Sequence, residues 1–164
     1  MMTVAKGLTN AAVPMGAVFV RHGIYDTVVN ATPSGIELFH GYTYSGHPLA
    51  AAAGLATLEL YQTEGLFERA ASLAPQWEQA LHSLRGLPHV IDIRNLGLVG
   101  GIEMEPRAGA PGTRAFEVFV DCFNRGALIR VTGDIIALSP PLIIDERQID
   151  ELIDTIGSAI KAVS

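Results

Sequence analysis

Cysteine and lysine are both scarce: Cys122 stands alone, and Lys6 and Lys161 are the only two lysines among 164 residues. A single thiol excludes an intramolecular disulfide framework and a Cys-rich zinc site, and it suits a reducing cytoplasm. Positive charge is also short, with Lys plus Arg at 11 against Asp plus Glu at 17 and a formal charge of -6. That balance argues against a nucleic-acid or anionic-membrane partner. No apolar run reaches the roughly 18 to 20 residues that a membrane-spanning helix needs. The opening Met1 to Lys6 places its basic residue after the apolar ones, and no stretch of signal-peptide length follows. A soluble, cytoplasmic chain is therefore expected. The five histidines show no metal-ligand spacing such as HExxH, so no metal site is expected. A nucleophile elbow, a P-loop and a dinucleotide fingerprint are missing too.

What is present is apolar. Hydrophobic residues make up 49% and charged residues 17%, which excludes intrinsic disorder and gives one domain's worth of chain ample material for a core. Met1 to Ala5 and Met15 to Val20 are short apolar runs between breakers and read as buried strands. Arg21 to Pro48 has no sustained period and reads mostly as loop, long enough to be a place for function. Pro48 is well placed to open a helix whose apolar side is Leu55, Leu58 and Tyr61, broken at Glu64-Gly65. Leu66 to Leu84 carries a second helical period ending at Gly86-Leu87-Pro88, with Pro75 predicting a kink or two pieces.

Beyond Pro88 the period shortens. Val90 to Ile93 and Leu98 to Met104 read as strands joined near Asn95-Leu96-Gly97, followed by a helix presenting Phe116, Phe119, Val120 and Phe123. Leu128 to Val131 and Ile135 to Leu138 bracket Thr132-Gly133-Asp134 as a hairpin. The last helix has Asp145 as N-cap, Gln148 three residues on, and Ile149, Leu152, Ile153, Ile156 and Ile160 along one face. Two strands and a long loop cannot close a sheet without partners, so the opening third reads as incomplete. The domain boundary is expected within the helix that opens at Pro48, giving segments 1–60 and 61–164.

Three places could carry chemistry. Lys6 follows an apolar strand between Ala5 and Gly7, where a desolvated amine could attack a carbonyl, although a solvated loop lysine would look the same. Lys161 ends an amphipathic helix and complements its dipole. Arg130 lies within Leu128-Ile129-Arg130-Val131 and needs an anionic partner, from a ligand or from Asp134 across the hairpin, unless strand alternation turns it to water. His40 to Pro48 gathers hydroxyls and glycines before a helix start, a composition that suits a phosphate and equally an ordinary capped loop.

Ala5-Lys6-Gly7-Leu8-Thr9-Asn10 with Val13-Pro14-Met15-Gly16-Ala17-Val18, Gly41-Tyr42-Thr43-Tyr44-Ser45-Gly46-His47-Pro48, and Arg130-Val131-Thr132-Gly133-Asp134 with Leu138-Ser139-Pro140-Pro141-Leu142 together resemble the class III pyridoxal-phosphate aminotransferases. The likeness is nearest to the omega-amino acid:pyruvate (β-alanine:pyruvate) transaminases. It implies an α/β fold, the C-terminal part of a fold-type I transferase: the end of the large cofactor domain over 1–60, then the small domain over 61–164. It implies that Lys6 holds pyridoxal 5'-phosphate as an internal aldimine and shuttles a proton between the substrate α-carbon and the cofactor. Thr43 would reach the cofactor phosphate of a neighbouring subunit, which implies a homodimer with shared sites, and Arg130 would bind the substrate carboxylate. The implied reaction moves an amino group from an ω-amino acid or amine such as β-alanine to pyruvate. Ala11 departs from the family's usual glycine, a strain if that position takes a positive φ. The upstream phosphate loop, stacking aromatic and ring-pairing aspartate of the family are not among these residues, so the chain reads as a partial aminotransferase. The alternative is a catalytically inactive remnant acting as a dimerisation or interaction module.

Overall fold

The computed structural model describes residues 1–163 apart from 32–34, 36, 37 and 39. The chain divides into two compact units, Met1–Gly65 and Leu66–Ser164. The expected division after residue 60 falls inside a helix that runs on to Thr63.

In the first unit, strands β1 (Met2–Ala5) and β2 (Gly16–Phe19) pair antiparallel, with Met2 opposite Phe19 and Ala5 opposite Gly16. Between them a 3-10 turn spans Lys6–Leu8. Burial was expected for both strands, yet Met2, Val18 and Phe19 are more than half exposed. An uninterrupted apolar run signals a strand covered on both faces, whereas this two-stranded ribbon has open faces. Helix α1 (His22–Asn30) corrects the reading of this region as loop. Gly23 and the β-branched Ile24, Thr27, Val28 and Val29 have weak helix propensity, which hid it. Of the remainder of that stretch, residues 32–34, 36, 37 and 39 lie outside the described residues.

Helix α2 (Pro48–Thr63) begins as the sequence predicts, with Pro48 in its first turn and His47 as N-cap. Its buried face is different. Ala50, Gly54 and Thr57 are buried, while Leu55 is 69% and Leu58 50% exposed. The helix is apolar nearly all round, so period alone does not choose a side, and the small residues are those that let backbone approach.

The second unit is a four-stranded antiparallel sheet carrying three helices. Its elements are α3 (Leu66–His82), β3 (Val90–Leu96), β4 (Val99–Met104), α4 (Thr113–Asn124), β5 (Arg130–Thr132), β6 (Ile135–Leu138) and α5 (Glu146–Ala162). Sheet order is β3-β4-β6-β5. Cross-strand pairing aligns Ile93, Ile102, Ile136 and Val131 in one row, which faces the helices and joins Leu73, Trp77, Leu81, Val118, Ile149 and Ile156 in the core. Because side chains alternate, the next row, Arg94, Gly101, Ala137 and Arg130, lies on the opposite, open face.

Pro75 sits inside α3, which is one helix rather than two pieces. Helix α4 corrects the expected Phe face: Ala115, Val118 and Cys122 are fully buried, while Phe116 and Phe123 are more than half exposed. The half-buried Phe119 packs against the core and stacks between the two exposed rings, with centroids 5.7 Å apart for Phe116–Phe119 and 6.4 Å for Phe119–Phe123. Helix α5 carries the predicted capping box, with the Gln148 amide donating to Asp145 Oδ1 at 2.7 Å and the Asp145 amide to Gln148 Oε1 at 3.0 Å. Among the described residues no helix is long and apolar enough to cross a membrane.

Candidate functional site

Lys6 opens the 3-10 turn with φ +54, a left-handed conformation unusual for a residue with a side chain. Its carbonyl accepts the Thr9 amide at 3.3 Å and the Ala11 amide at 3.1 Å. Thr9 is almost wholly buried, and its hydroxyl donates to the Val13 carbonyl at 2.6 Å, tying the loop to its own exit. From α2, the Tyr61 hydroxyl donates to the Gly7 carbonyl at 2.6 Å. The Lys6 side chain is exposed, and among the described residues it makes no ion pair. The desolvation weighed for this amine from the sequence is not found among the described residues; what the structure supplies is a left-handed backbone tied by hydrogen bonds.

Thr43 belongs to the turn before α2, where the Ser45 amide bonds the Tyr42 carbonyl at 2.9 Å. With Tyr44, Ser45, Gly46, His47 and Ala50 it faces Pro14 to Ala17 across an open cleft of ≈ 690 Å³. The hydroxyls, rather than the helix terminus, dominate the donor set. Pro48 has no amide hydrogen, and the Leu49 amide is taken by His47 Nδ1 at 3.3 Å. Lys6 and Thr43 are thus both parts of the first unit, and the cleft beside Thr43 is bordered by the segment that follows the Lys6 loop.

Arg130 starts β5 opposite Ala137, exposed on the open face of the sheet. The Asp134 ion pair weighed from sequence does not form: Asp134 Oδ1 instead accepts the Gly112 amide at 2.8 Å, and its carbonyl takes the Met104 amide at 2.8 Å. Both bonds pin the β5–β6 turn that carries Arg130. At the far end of the same row, Arg94 is engaged by Asp92 at 2.6 Å and Glu103 at 2.9 Å, whereas Arg130 has no ion-pair partner among the described residues. An exposed guanidinium opposite the small residue Ala137 has donors for a planar anion.

The resolved pKa shifts lie elsewhere. Arg107, paired bidentate at 2.8 Å to Glu117, holds that carboxyl below its usual range, and burial pushes the Cys122 thiol up to about 11, which leaves it unreactive. Among the described residues no His, Cys, Asp or Glu cluster could hold a metal ion. Sequence reasoning missed Tyr61 and Asp134 as supports of the candidate residues, since neither partnership leaves a local pattern. Lys161 is an exposed cation in the last turn of α5.

The chain belongs to the class-III aminotransferases, whose family model matches residues 1–160. These enzymes depend on pyridoxal phosphate. The chain is 62% identical over 163 residues to an omega-aminotransferase of Caulobacter vibrioides, covering 99% of this chain and 37% of that protein. It is 44% identical to a β-alanine–pyruvate aminotransferase of Pseudomonas aeruginosa, across 100% of this chain and 37% of the relative. Its backbone superposes on a PMP-bound aminotransferase from Vibrio fluvialis with TM-score 0.90 and 29% identity, over 98% of this chain and 37% of that one. The fold is that of the fold-type I transaminases, and the chain spans little more than a third of these proteins' length. The free Lys6 amine and the hydroxyl-lined cleft beside Thr43 match the carbonyl and phosphate of pyridoxal phosphate in kind.

Proposed function

We propose that the chain supplies Lys6, Thr43 and Arg130 to a transaminase that moves an amino group from an ω-amino acid or amine, such as β-alanine, to pyruvate. The observation that supports it most is the Lys6 turn, an unpaired amine on a backbone kept at φ +54 by bonds from Thr9 and Ala11. Pyridoxal phosphate, when bound, supplies an electron sink for the bonds of the amine-bearing carbon. Lys6 Nζ would hold the group, and the same amine, when unbound, would hold the proton removed from the carbon that bears the donor's amino group. Thr43 Oγ1 would donate to a phosphate held in the neighbouring subunit, so a homodimer with shared sites is part of the proposal. Arg130 presents two parallel N–H donors to the carboxylate of the donor or of pyruvate, and its place on an open face lets it swing aside for an amine that has none. On this reading Met1–Gly65 ends the large cofactor domain, Leu66–Ser164 is the small domain, and the setting is cytoplasmic.

The second reading, an inactive dimerisation module, draws on the open apolar faces of the β1–β2 ribbon. One experiment separates the two. The chain is incubated with pyridoxal phosphate, reduced with borohydride and mapped by peptide mass spectrometry, with Lys6→Ala as control. We expect selective label on Lys6 over Lys161. Equal label on Lys161 and the N-terminal amine would overturn the catalytic reading and leave the module.

A further inference from the structure

We propose that Tyr61 is a positioning residue for Lys6, holding the lysine's turn from helix α2 through its hydrogen bond to the Gly7 carbonyl. The inference rests on the role proposed above for Lys6. The contact joins residues 54 apart in sequence at 2.6 Å. The Lys6 carbonyl is held by the Thr9 and Ala11 amides, so the two successive carbonyls that follow the Lys6 α-carbon both have donors. Peptide units are planar, so holding these two fixes the Gly7 torsions between them, and the first of the two is also one of the pair of peptide units that set where the Lys6 side chain leaves the backbone.

The approach of α2 is close at two points. A Cβ added to Gly7 would lie 3.2 Å from Tyr61 Oη, and one added to Gly54 would lie 3.6 Å from the Leu8 carbonyl oxygen and 3.8 Å from Met15 Sδ. Gly54 and Tyr61 are two helical turns apart and share a face with Thr57, which is buried. One point of contact is therefore bare backbone, and the other is a phenol oxygen rather than a ring face. If the hydroxyl is removed, the Gly7–Leu8 peptide loses its tether and can rotate about the Gly7 torsions, which loosens the turn that the Thr9 and Ala11 amides close on the Lys6 carbonyl and lets Nζ leave its place.

The test uses the two lysines against each other. During reductive coupling, lysine Nζ adds to the aldehyde of pyridoxal phosphate with loss of water. Hydride then reaches the resulting carbon and a proton the nitrogen, and the Lys6 to Lys161 product ratio is read by peptide mass. Tyr61→Phe should lower that ratio roughly 3- to 10-fold, the worth of one hydrogen bond, with Lys161 labelling unchanged. Tyr61→Leu, which also removes the ring, should fall to the same level. Hydrogen exchange at the Ala11 amide, measured without cofactor, should quicken in Tyr61→Phe. A Phe variant that keeps the parent ratio, with only Leu falling, would show a packing role and overturn the proposal. A parent chain with no preference for Lys6 would overturn the role of Lys6 itself, and this inference with it.

Discussion

Lys6, Asn10 and Ala11 hold φ values of +54, +50 and +59 in one short loop. For a residue with a Cβ, that region costs about 1–2 kcal/mol, and of the three only asparagine has a side chain suited to it. At Lys6 the cost accompanies the side chain proposed above to hold the cofactor. Ala11 offers no such return, because it is exposed and its methyl packs no core. Ala11→Gly should therefore relieve the strain and lose only the smaller entropic penalty of a freer unfolded chain, a net gain of about 0.5–1 kcal/mol. Slower hydrogen exchange of the Ala12 amide, which bonds the Thr9 carbonyl at 3.0 Å, would register it. Faster exchange would mean that Ala11 does not hold a left-handed conformation. At this scale the sequence was informative only through family likeness. Residue type alone left Lys6 indistinguishable from a solvated lysine and Arg130 from half of an ion pair. The bond from Tyr61 had no signature at all, since nothing local relates residues 54 apart.

Among the elements, β4 shows how closely the sheet and α3 are fitted. Gly100 faces the core, and a Cβ there would stand 2.7 Å from Leu81 Cδ2 and 3.3 Å from the Trp77 ring, both fully buried. Neither side chain has space to yield, so Gly100→Ala should destabilise the second unit by about 1–2 kcal/mol through overpacking. Its neighbour is the control: at Gly101, on the open face, an added methyl would meet Arg94 Cγ at an ordinary 3.7 Å. Urea unfolding followed by the fluorescence of Trp77, the only tryptophan, should separate the two variants, and equal midpoints would refute the packing argument. Element boundaries here were legible because punctuation is local. The Asp145 capping box set the start of α5, and Gly97 and Gly133, at φ +53 and +56, marked the two hairpin turns. Element faces were not. Hydrophobicity assigned the phenylalanines of α4 to the core, but the inner side has Ala115, Val118 and Cys122, and only Phe119 reaches the core's edge while Phe116 and Phe123 stack on it from outside.

At the scale of the whole molecule, the two units are unlike in how they dispose of apolar surface. The second has, among the described residues, a core of twenty buried residues drawn from the sheet, its three helices and, through Leu84, Leu98, Ile129 and Ile144, the connections between them. In the first, the buried residues among those described are few and small or polar, Ala50, Gly54, Thr57 and Thr9, while Met1, Met2, Val18, Phe19, Leu55 and Leu58 are at least half exposed. A two-stranded ribbon also leaves unpaired backbone groups along its outer edges, which template further pairing. Exposed apolar side chains beside open edges drive association, so the chain should sediment at physiological salt as species heavier than its 17.4 kDa monomer. The ribbon is the part to blame if Phe19→Lys, which places a charge on an exposed strand position, shifts the distribution toward monomer while leaving the Trp77 unfolding midpoint in place. A parent chain that sediments as a clean monomer across a hundredfold range of concentration would refute the association. Association that survives Phe19→Lys would move it to another surface, with the stacked phenylalanines of α4 the next to substitute.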